Sequence, residues 1–168
     1  MRHSGKTITL ADLYERYAPS LYAYARLLSR SPAEAEDVVQ SCFVRLAVQL
    51  DRLAEVENQR GYVLTVCRNE AFRNRSRWRR WWDGDLACGT VQFEETESGA
   101  PPEPENHEAI SRAMTELPPE QREVVFLKVW QDLTFAEIAE LLGISPNTAA
   151  SRYRYGLEKL KGLLEHER

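Results

Sequence analysis

Residues 83–108 read DGDLACGTVQFEETESGAPPEPENHE and hold eight carboxylates but no lysine or arginine. Gly84, Gly89, Gly99, Pro101, Pro102 and Pro104 interrupt any helical period across them. Like charges along such a segment repel and extend it, so it reads as a flexible acidic linker. The chain of 168 residues is therefore divided into an N-terminal module over 8–82, the linker over 83–104, and a C-terminal module over 105–166. Modules this short bury little surface and are marginal alone, so each must pack a small core densely.

Both modules read as helical, which makes the expected fold all-α: two small helical domains joined by the acidic linker. Thr9 can cap a first helix over LADLYERYA, and Pro19 is expected to kink or restart it into SLYAYARLLS. In SPAE, Ser31 caps a second helix, Pro32 takes its first position and Glu34 closes a capping box. That helix runs through AEDVVQSCFVRLAVQL with Val38, Val39, Cys42, Phe43, Leu46 and Leu50 on one face. After a loop at Glu55–Asn58, a long helix starts near Gln59 and turns Val63, Val66 and Cys67 inward. In the second module a helix follows Pro118 and Pro119, and Thr134 with Glu137 forms a capping box before FAEIAELLG. Strand signals are weak throughout, because neither alternation nor hairpin dipeptides occur.

The segment TFAEIAELLGISPNTAASRYRYG has the spacing of a helix-turn-helix. Two short helices that cross closely need a small residue on the first, here Ala139. Four positions later the turn needs a residue that tolerates positive φ, here Gly143. Ile138, Leu142 and Ile144 would fill the space between the helices. Ser145 caps the second helix, which would offer Asn147, Thr148, Ser151, Arg152 and Arg154 to solvent. Such side chains bond phosphates and major-groove base edges. An ordinary helical hairpin with a glycine turn is the bland alternative. It accounts for the glycine but not for the combination of Ala139, Gly143 and the Ser145 cap.

A second feature points the same way. The stretch FRNRSRWRRWW, residues 72–82, interleaves five arginines with three tryptophans. Yet the whole chain has a formal charge of -4. The balance is local: residues 1–82 carry 14 Lys/Arg against 9 Asp/Glu, whereas residues 109–168 carry 8 against 9. Averaging hides a basic first module fit to meet nucleic acid. Arginines on a long helix commonly form a solvated face. Arginine interleaved with aromatic side chains is also the chemistry of single-strand binding, where charge tracks the backbone and rings stack on bases.

These motifs resemble the extracytoplasmic-function sigma factors of bacterial RNA polymerase. LPPEQREVVFLKVWQDLTFAEIAELLGIS carries the C-terminal resemblance. AEDVVQSCFVRL is similar to the family's A-E-D-L-V-Q-E-x-F-x-R-L, and TVCRNEAFRNR to its I-A-R-N-x-x-x-D-x-x-R. The resemblance implies a factor that binds core polymerase and directs promoter-specific initiation. It implies that Asp37 and Gln40 dock on the clamp helices of the largest subunit, and that Asn69 holds a base flipped from the minus-ten element. Arg68, Phe72, Arg73, Arg75 and Arg77 would support the melted strand. Asn147, Thr148, Ser151, Arg152 and Arg154 would read the minus-thirty-five element. The implied partners are core RNA polymerase (clamp helices and flap), promoter DNA and an anti-sigma factor. The linker would thread a polymerase channel that otherwise holds nucleic acid, its carboxylates mimicking a polyanion. Where the family reads T-V-K-S-R-L-x-R-A-R, this chain reads Thr148-Ala149-Ala150-Ser151-Arg152-Tyr153-Arg154-Tyr155-Gly156-Leu157. The loss of a lysine and two arginines predicts an atypical upstream element.

Other classes fit less well. No G-x-x-x-x-G-K-S/T, H-E-x-x-H or G-x-S-x-G occurs, and His3, His107 and His166 lie scattered in termini and linker, so no catalysis and no cofactor are expected. Cys42, Cys67 and Cys88 are widely spaced without a C-x-x-C pair, which argues against a disulfide framework or a metal site. They read as reduced thiols of a cytoplasmic protein. The N-terminus lacks the apolar stretch of a secretory signal, and no apolar run reaches the roughly 18 residues of a membrane span. A stand-alone helix-turn-helix repressor is the alternative function, but it leaves the basic, aromatic helix end without a purpose.

Overall fold

A computed structural model describes residues 8–79 and 104–166, with side chains placed except at 75–79, 104–107 and 166. Linker residues 83–103, Cys88 among them, and Arg80, Trp81 and Trp82 lie outside the described residues, whereas Pro104, read as the last linker residue, begins a helix. The chain divides into two compact units, Met1–Ala87 and Cys88–Arg168. All regular structure among the described residues is helical.

The first unit contains α1 (Leu10–Leu28), α2 (Pro32–Ala47), α3 (Leu50–Glu55) and α4 (Gln59–Arg79). Helices α1, α2 and α4 pack on one another. Their shared core holds Leu13, Leu21 and Tyr24 from α1, Val38, Cys42 and Leu46 from α2, and Val63, Leu64 and Cys67 from α4. Thr9 and Asp12 close a full capping box on α1. Pro19 neither stops nor restarts that helix, which continues unbroken. Its ring and the Glu15 carbonyl it displaces lie on the exposed side, where water can satisfy the freed oxygen, while Tyr17 and Leu21 anchor both flanks.

Two further details depart from the sequence reading. Ser31 Oγ accepts the Glu34 N–H at 3.2 Å, as a cap should. The Glu34 carboxylate, however, accepts from the Arg30 N–H at 2.7 Å and not from Ser31, so the capping box does not close. Helix α2 ends at Ala47, and a new short helix begins at Leu50. The break lets Leu53 return fully to the core and leaves Leu50 half-buried; Val39, within α2, is half-buried as well.

The second unit contains α5 (Pro104–Thr115), α6 (Pro119–Val129), α7 (Phe135–Leu142) and α8 (Pro146–His166), with α8 packed against the other three. Helix α5 has no counterpart in the sequence reading, which names no helix before Pro119. The buried Arg122 side chain docks its end. Nε donates to the Met114 carbonyl at 2.7 Å, and Nη2 donates to Thr115 and Leu117 at 2.5 and 2.8 Å. Carbonyls at a helix end lack the full set of helical donors (that of Met114 accepts the Leu117 N–H at 3.3 Å as well), and a guanidinium suits them in charge and number of donors. Gly156 on α8 is buried so close to α6 that a Cβ there would lie 2.7 Å from Val125 Cγ2.

Thr134 and Glu137 form the expected box on α7. The Thr134 hydroxyl accepts the Glu137 N–H at 3.2 Å, and the Glu137 carboxylate accepts the Thr134 N–H at 2.7 Å. Gly143 ends α7 in the left-handed region at φ 67°, and the Ile144 N–H returns to the Ala139 carbonyl at 3.0 Å. Ala139 and Ile138 are buried as read, but Leu141 takes the core position expected of Leu142, which is half-buried along with Ile144.

The hydrogen bonds from Thr134 hold the Glu137 carboxyl below its ordinary value of 4.5. A depressed folded value contributes stability above the unfolded pKa, and that stability is lost as pH falls through the folded value. Thr134→Ala is expected to cost the second unit about 1 kcal/mol at pH 7. In thermal melts the gap between variant and wild type should shrink as the pH falls below 4.5.

Candidate nucleic-acid interface

The inward stripe of α4 runs through Val63, Cys67 and Glu70, so a carboxylate occupies a position where the period calls for an apolar residue. Glu70 is only 6% exposed. It is not unpaired: Arg45 Nε of α2 lies 2.6 Å from its Oε1, and Arg73 Nη1 lies 3.7 Å away. The ion pair ties α4 to α2 and fixes which side of α4 faces solvent. The sequence reading missed Glu70, although its place on the apolar stripe is the signal that marks it.

The solvent side of α4 presents Asn69, Phe72 and Arg73 at i, i+3 and i+4, all exposed, with Arg73 at the edge nearest Glu70. The Arg68 guanidinium lies 4.6 Å from the Phe72 ring centroid, within cation–π range. An amide, a ring and two guanidinium groups thus share one helix face. Such a face can stack on a base, bond its edge and meet its phosphates. Arg75 and Arg77 continue along the same helix, with side chains outside those described. Asp37 and Gln40 lie on a different helix, α2, and both are exposed.

Behind these two faces, Cys42 and Cys67 are buried free thiols. Distant in sequence, they come together in the core. A hydrogen bond with the Cys42 side chain, reinforced by burial, raises the Cys67 thiol well above its usual value. Its Sγ also faces the Leu21 carbonyl at 3.8 Å. Neither thiol has the electropositive, accessible surroundings of a nucleophile.

On α8, Asn147, Thr148, Ser151 and Arg154 are exposed, as expected of a reading helix. Thr148 also takes part in the cap, its N–H donating to Ser145 Oγ at 3.0 Å. Arg152 differs from the expectation. Its side chain is 27% exposed, and Nη2 lies 3.0 Å from Glu120 Oε2 of α6. Tyr153 packs edge-on against Phe135 at 5.5 Å, and Ala149 is fully buried, so the inward side of α8 is as read.

Residues 13–81 match the model of sigma-70 region 2, and residues 107–160 match that of sigma-70 region 4. The chain is 31% identical over 156 residues to the RNA polymerase sigma factor CarQ of Myxococcus xanthus, covering 91% of this chain and 87% of that one. The chain belongs to the extracytoplasmic-function family of RNA polymerase sigma factors. The factor is also 29% identical over 159 residues to the sigma factor SigL of Mycobacterium tuberculosis, with 91% and 87% coverage. Its fold matches that of the sigma factor RpoE in complex with the anti-sigma factor NepR from Bartonella quintana, at a TM-score of 0.73 and 24% identity over 94% of this chain and 98% of that one. CnrH in complex with the cytosolic domain of CnrY matches at 0.66 and 21% identity, over 95% and 89%.

As a sigma factor, the protein binds core RNA polymerase and directs promoter-specific transcription initiation. The region 2 match accounts for the basic N-terminal unit that a stand-alone repressor would leave unused. No described helix is long and apolar enough to cross a membrane.

Because Glu70 is buried and Arg45 is half exposed, the two partners of the pair are not equivalent. Arg45→Met strands a buried carboxylate and is expected to cost the first unit about 2 kcal/mol. Adding Glu70→Gln should recover much of that loss. Urea unfolding of the single and double variants checks the coupling.

Proposed function

We propose that the first unit docks on the clamp helices of the largest polymerase subunit through Asp37 and Gln40, and captures an opened minus-ten strand through α4. Asn69 holds a flipped base. Phe72, with Arg68 against its ring, supplies the stacking surface. Arg73, Arg75 and Arg77 follow the backbone. The observation that carries this reading is the exposed strip of Asn69, Phe72 and Arg73 on α4, turned to solvent by the burial of Val63, Cys67 and Glu70. Its amide, ring and cations suit an unstacked base better than a duplex, whose bases hide their faces.

The second unit reads the minus-thirty-five element with Asn147, Thr148, Ser151 and Arg154, and with Arg152 where phosphate displaces Glu120. Its contact with polymerase is at the flap. The linker over 83–104 follows a polymerase channel as a polyanion. The factor acts in the cytoplasm and performs no catalysis of its own. That the sigma factor from Bartonella quintana is held by an anti-sigma factor supports a similar protein partner here.

Asp37→Arg should lower affinity for core polymerase by at least about tenfold, since it places a like charge where a complementary one is needed. Because Asp37 is exposed, the melting temperature should stay unchanged. Unaltered retention of core polymerase on the immobilised variant would exclude this docking face.

Asn69→Ala tests the capture of the strand. Transcription from a duplex promoter should fall by about tenfold, as expected when a flipped base loses its partner. A template already mismatched across the minus-ten element should retain nearly full activity. Equal losses on both templates would remove Asn69 from the opening step.

A further inference from the structure

Helix α8 offers a duplex more than the polar residues singled out by its sequence. Tyr155 is 51% exposed, although it is a large aromatic side chain in a small unit short of core. Thr148, Arg152, Tyr155 and Lys159 follow one another at i, i+4, i+7 and i+11, so they form one stripe along the flank of the helix. The ring is therefore presented beside the residues expected to read DNA, and away from the buried Ala149, Gly156 and Leu160.

The cations near this stripe are held in different ways. Arg152 sits 3.0 Å from the Glu120 carboxylate, and a phosphate must displace that acid to reach it. Arg154 is exposed, and its guanidinium carbon lies 4.9 Å from the Tyr155 ring centroid. A ring attracts the cation without neutralising it. Arg154 therefore keeps its full charge for a phosphate, and its long side chain has less rotamer freedom to lose on docking.

We propose that Tyr155 is a DNA contact of α8 and works with Arg154 as one unit. The ring seats the guanidinium on a phosphate of the upstream duplex, and the rest of its exposed surface packs on the adjoining sugar or a thymine methyl. The unit supplies contact where the helix is otherwise poor in basic side chains. The proposal rests on the reading of α8 as the helix that lies on the minus-thirty-five element.

The experiment uses the full chain bound to core polymerase. The probe is the promoter duplex that the wild-type holoenzyme selects from sheared genomic DNA, titrated over a range of salt. Tyr155→Ala should lower affinity by about tenfold, the size of one lost base-pair contact. It should also reduce the salt slope by about one, because the unseated guanidinium no longer neutralises its phosphate. Tyr155→Phe, which keeps the ring, should match wild type in both. Arg154→Ala should show the same slope change, and the double variant no further one, because the two residues act together. An unchanged slope with Tyr155→Ala, or a loss with Tyr155→Phe equal to that with Tyr155→Ala, would overturn the proposal. So would weaker binding to core polymerase without DNA, which would make Tyr155 a protein contact. Asn147→Ala separates the two levels of failure. If it weakens promoter binding while Tyr155→Ala does not, Tyr155 alone loses its role. If neither weakens binding, the reading of α8 falls with it.

Discussion

The carboxylate of Glu70 is the point on which the first unit turns. A charge placed on the inward stripe of a helix has to be met or the helix must rotate it outward, because an uncompensated buried ion costs several kcal/mol. Arg45 meets it from α2 at 2.6 Å. With that orientation set, Asn69 and Phe72 turn to solvent, and Arg73 lies at the edge of that exposed strip, reaching back to Glu70 at 3.7 Å. The surface assigned to strand capture thus depends on the Arg45–Glu70 pair, which it meets only through Arg73. The pair also joins α4 to α2, which carries Asp37 and Gln40. The helix proposed to hold the polymerase and the helix proposed to hold the opened strand share one buried charge.

The second unit uses arginine differently. Arg122 donates to the carbonyls of Met114, Thr115 and Leu117 at the end of α5. This fixes α5 against α6, beneath α8. The exit angle of α8 is then set by a few backbone features. Gly143 takes a left-handed conformation that a side chain would resist, and Ser145 caps the next helix two residues later. Gly156 allows α6 and α8 to approach more closely than any larger residue would. The outer side of α8 is what remains after these constraints, and among its exposed residues are Asn147, Thr148, Ser151, Arg154 and Tyr155.

Charge is arranged with similar economy. Although the chain is acidic overall, its excess of carboxylates is concentrated in residues 83–108, in the linker and the first residues of the second module as read from the sequence. Residues 109–168 hold 8 Lys/Arg against 9 Asp/Glu, and one of the arginines of α8 is already engaged by Glu120. Such a unit has few cations with which to neutralise phosphates, so its affinity for a free duplex is limited. Attachment to polymerase through the rest of the chain supplies the effective concentration that charge does not.

Much of this could be seen in the residue order. Helix identity, the Thr9 and Thr134 caps, the Gly143 turn and the exposed positions on α2 and α8 follow from local rules, because caps, turns and amphipathic periods act over only a few residues. The family motifs were legible for the same reason, being short and contiguous. Other features depend on residues that meet only after folding. The continuity of α1 through Pro19 is decided by packing on both flanks, not by the proline's own preference. Helix α5 is held by Arg122, which lies in the next helix. Glu34 takes the N–H of Arg30, just before the start of α2, in place of that of Ser31. The burial of Glu70, the contact between Cys42 and Cys67, and the engagement of Arg152 by Glu120 each join residues from different helices. Sequence determines the period of a helix and which residues share a face. Only the packing of helices decides which charges find partners, and so which remain available to a ligand.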